Sequence, residues 1–275
     1  PTNGLSAYEQ KKSFKGILFP LEDPPHLIGR EAEVEFLRES LHKKRMKNSV
    51  LVGEAGVGKT VIVEELVKRM AKEARFLSFS PAVIISGTQY RGTFEKKLLE
   101  ILNIVVSYNR SHPAMPLYLF IDEIHLIYRA GACEGDEMDI GNILKPFLAN
   151  GTLTVIGATT PEEYQETIAK DPALSRRLSP IYVSELTQEA VIPILKEFAE
   201  GQISDALIEE IYRKSLTLQG SNPDKSLEII DRALAKKACT GRAIDAGMIK
   251  EIIAYLSLSF MPEGEERHSS KHCSL

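Results

Sequence analysis

The stretch "NSVLVGEAGVGKT" constrains this chain more than any other. A short apolar run leads directly into Gly53-x-x-x-x-Gly58-Lys59-Thr60, and helical spacing of apolar residues follows from Lys59 to Ala71. A strand that ends in such a loop and re-emerges as a helix is a phosphate-binding loop. Each residue type has a physical reason. The backbone from Gly53 through Glu54, Ala55, Gly56, Val57 and Gly58 can curl its N–H groups around phosphate oxygens, because glycine removes the Cβ clash. Lys59 supplies a point charge to the β- and γ-phosphates, and the Thr60 hydroxyl is placed to coordinate Mg²⁺. The implied cofactors are ATP and Mg.

The rest of the chain alternates. Further apolar strands are expected at "RFLSFS", "LYLFID" (117–122), "TLTVIGATT" (152–160) and "PIYVSE" (180–185). Helical stretches lie between them, including Glu31 to His42 and Thr93 to Tyr108, where Phe94, Leu98, Ile101, Leu102 and Val105 share a face. Four or five buried strands separated by helices predict an α/β fold, a parallel sheet with helices on both faces. After residue 186 only helical patterns remain, at 188–200, 204–218, 224–239 and 245–258. The expected organisation is a lead-in segment at 1–25, a large α/β domain at 26–186, a small all-α domain at 187–261 and a disordered tail at 262–275.

The strand "LYLFIDEIH" brings Asp122 and Glu123 to its C-terminal end, where open parallel sheets bind ligands. Asp122 is expected to hold Mg²⁺ through its water shell, and Glu123 to polarise the attacking water. His125 reads as a packed neighbour rather than a catalyst. At the end of "GATT", Thr160 is chosen over Thr159 as the hydroxyl that meets the γ-phosphate or the water. Arg176 and Arg177 in "LSRRLS" admit two readings. They form a solvated basic turn, or an arginine reaches the ATP of a neighbouring copy, a contact worth about 10³ to 10⁵ in rate.

Composition closes off other classes. A net charge of −4 and a pI near 6.0 do not favour a nucleic-acid partner. No apolar run is long enough for a membrane span, and the N-terminus has no secretory core. Cys133, Cys239 and Cys273 are too scattered for a disulfide framework, so a reducing, cytoplasmic setting is expected. His268, His272 and Cys273 stand in a polar tail that lacks the rigidity a metal site needs. No Asn-Lys-x-Asp stretch occurs, which argues against a GTPase.

Taken with these residues, the chain resembles the first ATPase module of the Clp-type unfoldase and disaggregase branch of the AAA+ family. The resemblance runs through "LIGREAEVEFL", "LVGEAGVGKT", "YRGTFEKKL", "LFIDEIH", "DIGNILKPFLANGTLTVIGATTPEEY", "KDPALSRRL" and "PDKSLEIID". It implies a P-loop ATPase domain followed by a helical lid. It also implies that Ile28 and Gly29 frame the adenine, and that Lys59, Thr60, Asp122, Glu123, Thr160, Arg176 and Arg177 act as above. The family works as homo-oligomeric rings, usually hexamers, with nucleotide between subunits and polypeptides as substrates. By the same resemblance Tyr90, with Arg91 and Gly92, belongs to a loop lining the central channel; the residues alone favour Tyr90 packed on the next helix. The run 129–139 matches a second channel loop and reads equally as a disordered surface loop. Gln89 stands where the family usually has lysine, and the lid is shorter than usual. Two functions stay in play: an ATP-driven protein remodeller, or a nucleotide-gated interaction protein that threads nothing.

Overall fold

The computed structural model describes residues 18–20, 28–86, 91–129, 141–149, 151 and 153–259. They divide into two compact units, one ending at Glu185 and the other starting at Leu186.

In the first unit the chain begins with β1 (Leu18–Pro20), α1 (Glu31–His42), β2 (Ser49–Val52), α2 (Lys59–Arg69) and β3 (Arg75–Phe79). It continues through α3 (Pro81–Ser86), α4 (Arg91–Ser111), β4 (Leu117–Ile121), α5 (His125–Arg129) and α6 (Gly141–Ala149). It closes with β5 (Val155–Thr159), α7 (Pro161–Glu166), α8 (Pro172–Ser175) and β6 (Ser179–Tyr182). The strands form one sheet in the order β1-β3-β4-β5-β2-β6. All pairs are parallel except β1 with β3, so the five expected strands make a parallel sheet and β1 adds an antiparallel edge.

Alternate strand residues feed two separate cores. Val50, Val52, Leu77, Phe79, Leu119 and Ile121 face one core with Phe94, Leu98, Ile101 and Val105 of α4. Leu51, Phe76, Phe120, Ile156, Ala158 and Ile181 face the other, with Val34, Leu37 and Leu41 of α1 and Ile62, Val63 and Leu66 of α2. Covering both faces is why β2, β4 and β5 are buried at every position and read as unbroken apolar runs.

The order of strands positions the site. β5 lies between β2, which carries the phosphate loop, and β4, which carries the acidic pair. Because all three run parallel, their C-terminal ends share one edge. Within the expected strand at 152–160, β5 runs over Val155–Thr159, and Thr160 leaves the ladder to cap α7.

The second unit contains α9 (Gln188–Ala199), α10 (Asp205–Ser215), α11 (Asp224–Thr240) and α12 (Ala246–Ser259). Their apolar stripes close around Val191, Leu195, Ile208, Ile211, Ile229, Ile230, Met248 and Ile249. The expected helix at 204–218 stops at Ser215. The Ser215 hydroxyl donates to the Tyr212 carbonyl at 2.7 Å, and Ser226 donates to Ser215 at 2.8 Å, tying α10 to α11.

Candidate nucleotide site

The phosphate loop takes the shape its glycines permit. Gly56 and Gly58 have φ of 80° and 94°, where a side chain would be strained. Gly53 is needed for another reason: a Cβ there would lie 2.5 Å from the Val183 carbonyl oxygen at the end of β6. The loop delivers Gly58 as the N-cap of α2, so the first turn of that helix points its N–H groups at the site. Thr60 is exposed on that turn.

The Lys59 ammonium donates to the carbonyls of Gly53 at 2.7 Å and Glu54 at 2.9 Å. Burial holds its pKa below the ordinary lysine value, while the carboxylates of Asp122, Glu54, Glu123 and Glu163 work in the opposite direction. Residues from the loop, from the end of β4 and from α7 therefore share one electrostatic field.

Asp122 and Glu123 follow directly on β4. Asp122 Oδ1 accepts the Glu123 N–H at 3.0 Å. Glu123 has φ of 49°, a left-handed conformation uncommon for a side-chain-bearing residue, and its carboxylate is exposed. The turn thus aims the second carboxylate outward, while the first stays half-buried.

A polar network stands at the end of β5. The buried Thr159 hydroxyl lies 3.1 Å from His125 Nδ1. His125 Nε2 lies 2.9 Å from Glu163 Oε1. Glu163 Oε2 accepts the Thr160 hydroxyl at 3.0 Å, and the Thr160 oxygen accepts the Glu163 N–H at 3.3 Å. His125 is buried within this network. Thr160 is half-buried at the same edge and doubles as a helix cap.

The arginines differ from each other. Asp171 caps α8 by accepting the N–H groups of Ala173 at 2.7 Å and Leu174 at 3.2 Å, and it pairs with Lys145 at 2.6 Å. Arg177 turns back and donates to the Ala173 carbonyl at 2.6 Å, whereas the Arg176 side chain is exposed. Ile28 and Gly29 are half-buried ahead of α1, and the Gly29 N–H donates to Glu31 at 3.3 Å. Tyr90 and the run 130–139 lie outside the described residues; Arg91 and Gly92 open α4.

Among the described residues, no group of three or more His, Cys, Asp or Glu side chains could hold a metal on its own. One hydroxyl and one carboxylate, Thr60 and Asp122, fit an ion that arrives with phosphate oxygens and keeps its waters, which is how Mg²⁺ binds.

The pattern has named relatives. The family model for the ATPase family associated with various cellular activities (AAA) matches residues 49–184. The chaperone ClpB of Aquifex aeolicus is 40% identical over 229 residues, covering 77% of this chain and 22% of that protein. The chain belongs to the AAA ATPase family. Its ATPase domain is homologous to the ATPase modules of ClpB, ClpC and Hsp104.

ClpC of Staphylococcus epidermidis, an ATP-binding subunit of the Clp protease, is 38% identical over 227 residues, covering 76% of this AAA chain and 27% of its own. Among solved structures, the closed-state reconstruction of Hsp104 with ATPγS and FITC-casein superposes with a TM-score of 0.72 at 27% identity, over 90% of this chain and 45% of that one. The extended Hsp104:casein complex of S. cerevisiae gives 0.71 at 27% identity, over 90% and 45%. This AAA chain spans about a quarter of the length of the ClpB and ClpC proteins it matches. AAA membership implies ATP binding, and the helical segment α9–α12 is typical of an AAA+ lid. No helix among the described residues is long and apolar enough to cross a membrane.

Two side chains beyond the sequence-derived set also belong to the site. Glu163 bonds both His125 and Thr160, and Arg30 grips the phosphate loop. Glu163 had a usable signal, a carboxylate three positions after a threonine with a proline between them, which is a capping pattern. For the Arg30 grip on the loop there was none, because the two carbonyls it reaches are 27 and 154 residues away.

Proposed function

We propose that this chain is an Mg-ATP-dependent AAA+ module of a Clp-type, cytoplasmic protein-remodelling chaperone or unfoldase. It hydrolyses ATP at the interfaces of a homo-oligomeric, hexameric ring and moves polypeptide through that ring. The observation that carries the reading is the phosphate loop, with Gly56 and Gly58 at positive φ ahead of Lys59, standing at the same sheet edge as Asp122 and Glu123.

Lys59 and the N–H groups at the start of α2 neutralise and orient the β- and γ-phosphates. The exposed Glu123 carboxylate takes the proton of the water that attacks the γ-phosphorus. The bond to the β-γ bridging oxygen breaks, and ADP and phosphate leave. When bound, Mg²⁺ supplies charge neutralisation of the β- and γ-oxygens, with Thr60 and Asp122 as its protein neighbours. Thr160 presents its hydroxyl to the γ-phosphate or the water. Arg176, exposed on a turn braced by Asp171, reaches the nucleotide of the next subunit, and Arg177 supports that turn. Ile28 and Gly29 flank the adenine. Tyr90, Arg91 and Gly92 serve the channel that grips the polypeptide.

Glu123→Gln is expected to bind ATP with wild-type affinity and lose turnover. Arg176→Ala is expected to keep binding and lose turnover by about 10³-fold or more. Phosphate release and ADP titration read both, and normal hydrolysis by Arg176→Ala refutes the shared interface. Stimulation of hydrolysis by unfolded casein separates remodelling from nucleotide-gated interaction: a gated partner protein is not stimulated.

A further inference from the structure

Arg30 is only 4% exposed, although it carries a permanent charge. Its Nη1 donates to Glu33 at 2.8 Å. The two N–H groups of Nη2 go to backbone carbonyls from distant parts of the chain, Val57 in the phosphate loop at 2.8 Å and Ser184 just past β6 at 2.6 Å. Its Nε is buried with no partner among the described residues. Helix capping does not account for this, since Arg30 stands at the N-cap of α1 without a side-chain cap bond. A buried guanidinium with one donor unmet points to a role served by the other end of the fork.

The role follows from peptide geometry. In a trans peptide the C=O and the following N–H lie in one plane and point in opposite directions. Drawing the Val57 carbonyl towards Arg30 therefore turns the Gly58 N–H away from it. Gly58 is the N-cap of α2, so that N–H lies outside the helical ladder. Val57 itself is buried, and its neighbours Gly56 and Gly58 are both left-handed, leaving this peptide few other ways to be held.

We propose that Arg30 is a positioning residue of the nucleotide site. Its fork locks the Val57–Gly58 peptide so that the Gly58 N–H faces the phosphates, and it ties that peptide to the backbone leaving β6 at Ser184. Arg30 also adjoins Ile28 and Gly29, so one side chain connects the adenine segment, the phosphate loop and the exit of the last strand. Lysine cannot substitute, because a single ammonium lacks the planar fork that serves two carbonyls and a carboxylate at fixed angles. The proposal rests on the ATP reading above.

The test compares the wild type with Arg30→Lys and Arg30→Met by ADP titration, steady-state ATP kinetics and hydrogen exchange of the nucleotide-free protein. For Arg30→Lys, ADP affinity is expected to fall about tenfold to a hundredfold, as loss of charge-assisted bonds implies. KM for ATP should rise more than kcat falls. The segment 53–60 should exchange faster, while β4 and β5 keep wild-type protection. Wild-type ADP affinity in Arg30→Lys overturns the proposal. So does exchange that rises equally through the sheet, which marks a purely structural role. Should Arg30→Met fail to fold, Arg30→Lys decides alone. If the wild type itself takes up no ADP, the ATP reading falls, and the exchange of 53–60 in Arg30→Lys still decides whether Arg30 holds the loop.

Discussion

Gly53 shows how single atoms set the limits of this site. The missing Cβ is what lets the loop pass beneath the end of β6, where the Val183 oxygen would sit 2.5 Å away. Gly53→Ala must push two backbones apart, and overpacking of this kind costs about 1–3 kcal/mol. The expected result is a lower melting temperature together with weakened ADP binding, read by thermal unfolding and titration. Glu123 is the opposite case, a side-chain-bearing residue kept at φ 49° because the adjoining backbone is pinned. Asp122 accepts the Glu123 N–H on one side, and the Ile124 N–H donates to the Ala158 carbonyl at 3.0 Å on the other. Motif spacing made Lys59, Thr60, Asp122 and Glu123 legible from residue types alone. The Arg30 grip on the loop was not, and of the Glu163 contacts only the cap with Thr160 was, because nothing local says which distant carbonyl or imidazole a polar side chain will meet.

At the scale of elements, the long strands and helices announced themselves and the short pieces did not. A strand buried on both faces must be apolar throughout, and a helix such as α4 must repeat its apolar face over many turns. β1, with three residues, and α8, with four, are too short to carry a period. α8 matters nonetheless, because it shapes the turn that bears Arg176. Burial alone would raise the pKa of its cap, Asp171. The hydrogen bonds from Lys145, Ala173 and Leu174, with the charge of Lys145, outweigh this and hold the carboxyl below its usual range. A depressed carboxylate contributes stability that is fully present above its unfolded pKa of about 3.9 and is lost as pH falls through the folded value. Asp171→Ala is therefore expected to lower stability by about 1 kcal/mol at neutral pH. Its difference from the wild type should shrink towards zero in acid, as denaturant titrations across pH will show.

At the scale of the whole molecule, each unit closes its own core. The helices from α9 to α12 bury Val191, Leu195, Ile211, Ile229 and Ile249 among themselves. The segment 186–259 is expected to fold alone, with a helical circular dichroism spectrum and a cooperative thermal transition; a featureless melt contradicts this. The proposed ring makes a second demand. Light scattering should show ATP-dependent assembly in Glu123→Gln, which retains nucleotide, and a protein that remains monomeric at saturating ATP would leave Arg176 without a target.

The sequence by itself determined the class of fold, the strand that carries the phosphate loop and the strand that carries the acidic pair. Those features rest on local chemistry, where residue type and spacing dictate backbone shape and burial. Only the tertiary structure decided that β5 slots between β2 and β4, that His125 of α5 meets Thr159 of β5 and Glu163 of α7, and that Arg30 braces the phosphate loop. These depend on contacts between residues far apart in the chain, and such contacts are set by packing rather than by any local pattern.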